Sequence, residues 1–560
     1  MSKIKIIPLG GVRENAKNMY IVELEDAIVV LDCGLLYPED ELFGIDAVIP
    51  DFTYLEKNKD KIVGVFLSHG HEDAIGALPY FLERFDVPVF GSELSISLAK
   101  MYVEEADLGY QFNDYHVIDE EMEIAFDSVT VRFFRVTHTI PDSMGIAVKT
   151  DEGNIVYTGN FKFDNSASGD YAADYREIVN IGKEGVLALL SDSLSAASLE
   201  ENVSDVRVQE EVYDTFKNTK NRIIVAAVAS NILRIQQVIN AAHRFNRKVF
   251  ITGRRMESIL SIALKLDKLT LPSDDLFVPI SKLNKFKDEE VVILETGSLG
   301  EPLQTLRKMS AGQHPQINIK KGDLVYVVTS PSTSMEIYAA EARNAVYRAG
   351  GTVVALSNQI TASGHGTPKD LQLMINLLKP KYLIPVQGQY RMLVAHADLA
   401  HLTGMAYENV FIVSNGEVLT YENGKMQRSG EVSAVDTLVD GIGVGDIGNI
   451  VLHDRRLLSE DGIFVAVLTI DRKKRKIVAG PHIVTRGFVF VKESQPLLDE
   501  ASAIITKEMK KQLKTNNFEW SKLKTAIRNK LLGFLSQKTG RRPIILPVIM
   551  EVNQKRWYDK

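Results

Sequence analysis

The chain has 560 residues, 25% of them charged and 45% hydrophobic, with a formal net charge of −8 at pH 7. This composition excludes a disordered, collagen-like or disulfide-stapled protein, and the length allows two to four domains with a sizeable core. The single cysteine, Cys33, cannot form an internal disulfide and suits a reducing compartment, so a cytoplasmic location is expected. No signal peptide or membrane span is expected, because the first residues run directly into a strand and no apolar run is long enough.

Residues 1–200 read as many short strands, among them Ile4–Leu9, Met19–Leu24, Ala27–Leu31, Val87–Phe90, Val129–Arg135 and Ile155–Thr158. This is a β-rich layered domain with helices outside. Within it, Lys61 to Ser68 predicts a strand that ends in Ser68-His69-Gly70-His71-Glu72-Asp73-Ala74, with Asp73 opening a helix from Ala74 to Arg84. His69 and His71 on such a turn can face one ion, and a carboxylate at position 73 can reach a neighbouring one. Three imidazoles and a water make a catalytic zinc site, and a second ion would clamp the attacking and leaving oxygens of a phosphodiester. The histidine normally expected after the aspartate is replaced by Ala74.

Residues 201–352 alternate helices (Val208–Phe216, Ile232–Phe245, Met256–Leu266, Met335–Arg348) with apolar strands (Ile223–Val228, Lys248–Thr252, Val291–Glu295, Leu324–Val328). That alternation predicts a parallel α/β unit. Residues 353–430 return to strand patterns, so the α/β unit is an insertion and 353–430 complete the first domain. Residues 431–460 read as a linker. They contain a formal G-x-G-x-x-G at 443–448, but no helix is expected after it and Ile450-Val451-Leu452 suggests a strand, so it is a turn and not a dinucleotide site. Residues 461–560 predict a small α+β unit: strands Ile463–Ile470, Phe488–Val491 and Ile544–Val552, helices Pro496–Lys514 and Trp520–Thr539. Residues 501–560 carry 14 Lys+Arg against 4 Asp+Glu. These could contact phosphates, or Lys510, Lys511, Lys514, Lys522 and Lys524 could simply form solvated helix faces.

Several motifs in this order resemble those of the ribonuclease J family. They are Pro8-Leu9-Gly10-Gly11 with Asn15 and Lys17-Asn18-Met19-Tyr20, then Asp32-Cys33-Gly34, then His69, His71 and Asp73. Thr137-His138-Thr139, Tyr157-Thr158-Gly159-Asn160, Ser191-Asp192-Ser193, Ser363-Gly364-His365-Gly366 and Pro385-Val386-Gln387-Gly388-Gln389-Tyr390 follow. The resemblance covers essentially the whole chain. It implies a metallo-β-lactamase αββα sandwich, an inserted parallel α/β β-CASP domain and a small C-terminal domain; the apolar stretches Ile544–Ile549 and Phe488–Val491 of the α+β unit 461–560 suggest that this last one is an assembly domain. It also implies a 5′→3′ exoribonuclease with some endonuclease capacity on mRNA and rRNA precursors.

By that resemblance His69, His71, Asp73 and His138 are metal ligands and Asp32 buttresses the histidines. His365 and Asp73 are catalytic, while Ser230, Asn231, Thr361, Ala362, Ser363, Gly364 and His365 form a pocket for a 5′-monophosphate RNA end. Gly253-Arg254-Arg255 could add cationic contacts. Three ligand positions are degenerate: Ala74 offers no atom, Asn160 replaces a bridging aspartate and Gln387 replaces a histidine. Gln389 likewise stands where the family has glutamate. At most one zinc per chain is therefore expected, with weak activity, and association as a homodimer or hetero-oligomer with an active ribonuclease J paralogue. A catalytically inactive RNA-binding subunit is the alternative. A small-molecule hydrolase is disfavoured by the inserted domain and the phosphate-type loop.

Overall fold

The computed structural model describes residues 3–38, 44–199, 204–296, 302–328, 336–356, 363–441, 443–445, 449–471, 474–489, 494–514 and 519–552. The chain divides into two compact units, Met1–Leu36 with Val48–Thr437 and Tyr37–Ala47 with Leu438–Lys560.

In the larger unit an eight-stranded and a six-stranded sheet form a sandwich. The centre of the first sheet is Ile4–Gly10, Met19–Glu23, Ile28–Leu31 and Ile62–Phe66 in that order. The second runs Tyr382–Val386, Val186–Asp192, Gly153–Tyr157, Met144–Thr150, Thr130–Arg135, Glu123–Ala125. Strands covered on both faces read as continuous apolar runs, and Ile28-Val29-Val30-Leu31 is fully buried. Val29, Leu31 and Phe66 of the first sheet share one apolar layer with Phe133, Ile146, Tyr157 and Leu190 of the second. Helices Tyr175–Glu184 and Pro368–Leu378 cover the other face of the second sheet through Ile178, Ile181, Leu371, Met374 and Leu378.

The insertion is an all-parallel five-stranded sheet, ordered Lys248–Thr252, Val291–Glu295, Ile223–Ala226, Leu324–Val327, Thr352–Ala355. Helix Ile232–Arg244 turns Ile232, Ile235, Val238, Ile239 and Ala242 inward, the spacing of one helical face. The carboxyl ends of these strands point their loops, including Ser230-Asn231, to the edge where open parallel sheets place ligands.

The smaller unit has Ile463–Asp471 at its centre, antiparallel to Lys476–Arg486 and parallel to Ile544–Glu551. Helices Gln495–Leu513 and Trp520–Thr539 bury Leu498, Ile505, Met509, Ile527 and Leu531 against Phe464, Ala466 and Leu468. Lys510, Lys511, Lys514, Lys522 and Lys524 lie on the exposed sides. The opposite sheet face leaves Val484, Leu546 and Val548 exposed. No helix among the described residues is long and apolar enough to cross a membrane.

Three sequence expectations are corrected. The helix expected from Ala74 to Arg84 is two short ones, Glu72–Ile75 and Leu78–Leu82, because Pro79 lacks the N–H needed to continue the first and instead starts the second. A helix, Asn449–Glu460, follows the glycine-rich turn where Ile450–Leu452 suggested a strand; the Arg456–Glu460 ion pair at i,i+4 supports it. Phe488 is a buried residue outside any strand, Val491 lies outside the described residues, and the strand there is Lys476–Arg486. An alternation weakened by Gly480-Pro481 had hidden it.

Glu295, at the carboxyl end of its strand, is fully buried with neither carboxylate oxygen hydrogen-bonded among the described residues. Burial pushes its pKa from 4.5 up to about 8, with the nearby Thr305 hydroxyl lowering it only slightly. Between those values the folded carboxyl keeps its proton while the unfolded one has lost it, so stability falls as pH rises across that window. Glu295→Gln should raise the melting temperature by a few degrees at pH 8 and by little at pH 4.5. Calorimetry at both pH values checks this; an equal shift at both would exclude the ionisation cost.

Candidate metal centre

The centre is built where strands Ile28–Leu31 and Ile62–Phe66 end side by side in parallel register. Asp32 follows the first, fully buried and in a left-handed conformation. Its Oδ1 accepts from the Ser68 N–H at 2.7 Å, and its Oδ2 accepts from the Ser68 and Tyr157 hydroxyls at 2.6 and 2.8 Å. Burial pushes the Asp32 carboxyl up to about 6, against the pull of His69 and these bonds. Because the Ser68 proton goes to Asp32, the Ser68 oxygen is free to accept from His69 Nδ1, 2.9 Å away. That leaves a lone pair on His69 Nε2.

The same logic sets the other two rings. His138 Nδ1 donates to the Gly364 carbonyl at 2.8 Å, so Nε2 carries the lone pair. His71 Nε2 faces the Ser230 carbonyl at 3.3 Å, so Nδ1 carries it. His138 Nε2 and His71 Nδ1 then stand 3.1 Å apart, two lone pairs with no hydrogen between them. One nitrogen from each of His69, His71 and His138 lies within 4.8 Å of the others. A single cation satisfies this arrangement. Burial first, and the neighbouring imidazoles second, push His71 down to about 3 and His138 well below its ordinary value, which keeps both rings in the neutral, ligating form.

Two glycines permit the close approaches. A Cβ on Gly364 would fall 2.6 Å from His138 Cε1, and one on Gly34 would fall 1.6 Å from the Asp73 carbonyl oxygen. Backbone bonds Asn18 N–H to Asp73 O and Cys33 N–H to Ala74 O pin the motif helix against that turn.

The positions expected to hold a second ion do not fit one. Ala74 is fully buried and offers only a methyl group. Asn160 and Gln387 are each 3% exposed and direct their amide nitrogens, not their oxygens, to Asp73 Oδ2, at 2.8 and 3.3 Å. Burial would raise the Asp73 carboxyl, and the amide hydrogen bond from Asn160 opposes that rise.

His365 Nδ1 lies 2.7 Å from Asp192 Oδ2, and the His365 ring centroid is 5.5 Å from that of His138. Burial would lower the His365 pKa, but the Asp192 carboxylate outweighs it and raises it. Asn231 caps helix Ile232–Arg244 by accepting from Arg234 N–H, and Ser363 Oγ accepts from His365 N–H. Thr361 and Ala362 lie outside the described residues. Arg255 is committed to Glu72 at 3.0 Å, to Glu105 and to the Tyr102 ring, so it is held in the fold and not offered as a phosphate contact. The sequence reading did not single out Ser68, Tyr157 or the Ser230 carbonyl; a serine directly before the first histidine was the one available signal.

The sandwich, the inserted parallel sheet and the three-histidine cluster define a metallo-β-lactamase-fold protein with a β-CASP insertion and a suggested metal site. Family profiles agree: metallo-beta-lactamase superfamily over residues 12–190, ribonuclease J beta-CASP domain over 220–336, Zn-dependent metallo-hydrolase RNA specificity domain over 351–413, and ribonuclease J C-terminal domain over 450–552. The chain is 48% identical to ribonuclease J 2 of Streptococcus pyogenes serotype M3, over 99% of this chain and 100% of that one. It is 45% identical to ribonuclease J 2 of Staphylococcus epidermidis and of Staphylococcus aureus, over 98% of both chains in each case. A crystal structure of a protein of unknown function from Enterococcus faecalis V583 shares the fold, with a TM-score of 0.52 at 15% identity, covering 75% of this chain and all of that one. The chain belongs to the ribonuclease J family.

Asp32→Asn should reverse the hydrogen-bond direction at Ser68 and with it the tautomer of His69. Divalent-metal affinity should fall about 10- to 100-fold with the fold intact. Competition with a chelator of known affinity measures it; an unchanged affinity would show that His69 does not depend on Asp32.

Proposed function

We propose that this protein is a ribonuclease J of weak intrinsic activity that binds RNA and works beside an active paralogue. The observation that carries the reading is the asymmetry of the centre: three converging imidazole lone pairs for one ion, against a methyl group and two amide nitrogens at the positions for a second. His69, His71 and His138 would hold a single zinc. When bound, that ion supplies Lewis-acid activation of water and of a phosphate oxygen, without the opposed clamp of a two-ion site. Asp73 orients the water, and His365, whose hold on a proton is strengthened by Asp192, stabilises the scissile phosphate group and gives its proton to the leaving sugar oxygen as the P–O bond breaks. The Ser230-Asn231 turn and the Ser363–Gly366 loop, each before a helix, would present side-chain hydroxyls and the His365 ring to a 5′-monophosphate, since the N–H groups of Asn231, Ile232, Leu233, Arg234 and His365 are already bonded within the fold. The reaction is 5′→3′ exonucleolytic with some endonucleolytic capacity, on mRNA and rRNA precursors in the cytoplasm. The commitment of Asp73 Oδ2 to three amide groups favours, as a second reading, an RNA-binding subunit with no catalysis of its own.

This reading takes residues 1–200 and 353–430 as the catalytic domain, 201–352 as the RNA-clamping insertion and 461–560 as the assembly domain. The exposed Val484, Leu546 and Val548 face supports the last assignment, since covering it by a second subunit contributes roughly 25 cal/mol per Å².

Native protein should carry at most one tightly held ion per chain by elemental analysis. It should cleave 5′-monophosphorylated RNA slowly, and the triple change Ala74→His, Asn160→Asp, Gln387→His should accelerate cleavage by roughly 10²-fold or more. Two stoichiometric ions in the parent, or a rebuilt protein that binds two ions yet stays slow, would overturn the reading. His365→Ala should weaken binding of a 5′-monophosphate RNA more than that of a 5′-hydroxyl RNA at fixed salt; equal weakening removes the pocket. Truncation after Gly445 should give a monomer that no longer captures the paralogue, whereas a truncated chain that still assembles would place the contacts in the larger unit.

A further inference from the structure

Asp73 Oδ2 accepts from three amide groups at once: Asn160 Nδ2 at 2.8 Å, Asn18 Nδ2 at 3.0 Å and Gln387 Nε2 at 3.3 Å. The three come from turns far apart in the chain, before strand Met19–Glu23, after strand Gly153–Tyr157 and after strand Tyr382–Val386. All three side chains are buried. Gln387 even holds a left-handed backbone conformation, φ +53, fixed by its N–H to Gly11 O and by Ser193 N–H to its own carbonyl.

The amide orientations are dictated by their surroundings. Turning either Asn160 or Gln387 over would set an amide oxygen against the Asp73 carboxylate, and the Asn160 nitrogen also faces the lone pair of His69 Nε2 at 3.3 Å. As they stand, Asn160 Oδ1 and Gln387 Oε1 are buried with no hydrogen-bond partner among the described residues. Two buried carbonyl oxygens without donors are a cost. The chain tolerates it because an ionised carboxylate without N–H donors or a cation costs more. Meanwhile Asp73 Oδ1 is left 3.5 Å from His69 Nε2, on the side of the histidine cluster.

We propose that Asn18, Asn160 and Gln387 form a three-amide clamp that takes the place of a second cation. It compensates the Asp73 carboxylate with N–H dipoles, keeps the metal-motif helix folded without a second ion, and aims Oδ1 at the histidine cluster. The three are positioning residues that act through Asp73. The proposal rests on the single-ion reading above, but it makes Asn160 and Gln387 working parts and not merely lost ligands.

Thermal unfolding of the full chain, stripped with chelator and without RNA, tests it. Asn160→Asp, which keeps the shape and puts a carboxylate against Asp73, should lower the melting temperature by about 5 °C or more; Gln387→Met, which keeps the volume and removes the donor, should lower it by a smaller amount. Added Mn²⁺ should restore several degrees to the Ala74→His, Asn160→Asp, Gln387→His chain and give the stripped parent only its first-site increment. A purely structural role at these positions would show no cation rescue. Asn160→Asp and Gln387→Met both melting with the parent, or a triple variant that gains no more from Mn²⁺ than the parent, would overturn the clamp. If Asn160→Asp does not fold, Gln387→Met and the cation titration of the triple variant still decide it. A parent with one ion in which Asn160→Asp and Gln387→Met both melt with the parent would sink the clamp and leave the single-ion reading standing; a parent with two ions would sink the single-ion reading.

Discussion

A carboxylate taken out of water must be met by positive charge or by N–H and O–H donors, and two such groups organise this centre. Asp32 is met by Ser68 and Tyr157, and the chain of bonds from Asp32 through Ser68 to His69 decides which nitrogen of that ring turns inward. Asp73 is met by amides from three separate turns, which draws the ends of both sheets together around the motif helix. The orientations of His69, Asn18, Asn160 and Gln387 follow from how these two acids are compensated.

The insertion is not an appendage to this arrangement. Its Ser230 carbonyl faces His71, and the Gly364 carbonyl, from the loop that returns the chain to the sandwich, orients His138. Further ties bind the insertion to the sandwich: Lys268 bridges Asp142 and Asp170, Arg255 reaches Glu72, and Leu233 N–H bonds the Thr139 carbonyl beside His138. The loops proposed to hold the RNA end are therefore the loops that set the tautomers of two histidines.

The smaller unit obeys a different economy. Two long helices close one face of a three-stranded sheet, and Lys510, Lys511, Lys522 and Lys524 lie on the outer helix faces. Its uncovered sheet face is aliphatic, with Val484 and Leu546 flanking Val465 across the strands. A unit of this size has a limited core of its own, and the two helices supply most of what its sheet buries.

Much of this was legible in the residues themselves. Runs such as Ile28–Leu31 and the face Ile232, Ile235, Val238, Ile239 declare buried strands and an amphipathic helix because hydrophobic periodicity is a local property. His69, His71, Asp73 and the departure at Ala74 were visible because ligand identity is a matter of side-chain type and spacing, whereas His138 and the degenerate Asn160 and Gln387 were legible only through the resemblance to the family's motifs. Boundaries that depend on competing local signals were less secure: Pro79 split one helix, and Asn449–Glu460 formed where three apolar residues suggested a strand. What only the tertiary structure decided was direction. Which nitrogen each imidazole turns inward, which end of each amide meets Asp73, and that Arg255 is spent on Glu72 depend on partners tens to hundreds of residues away. A sequence specifies the donors and acceptors a chain owns; folding alone determines which of them face each other.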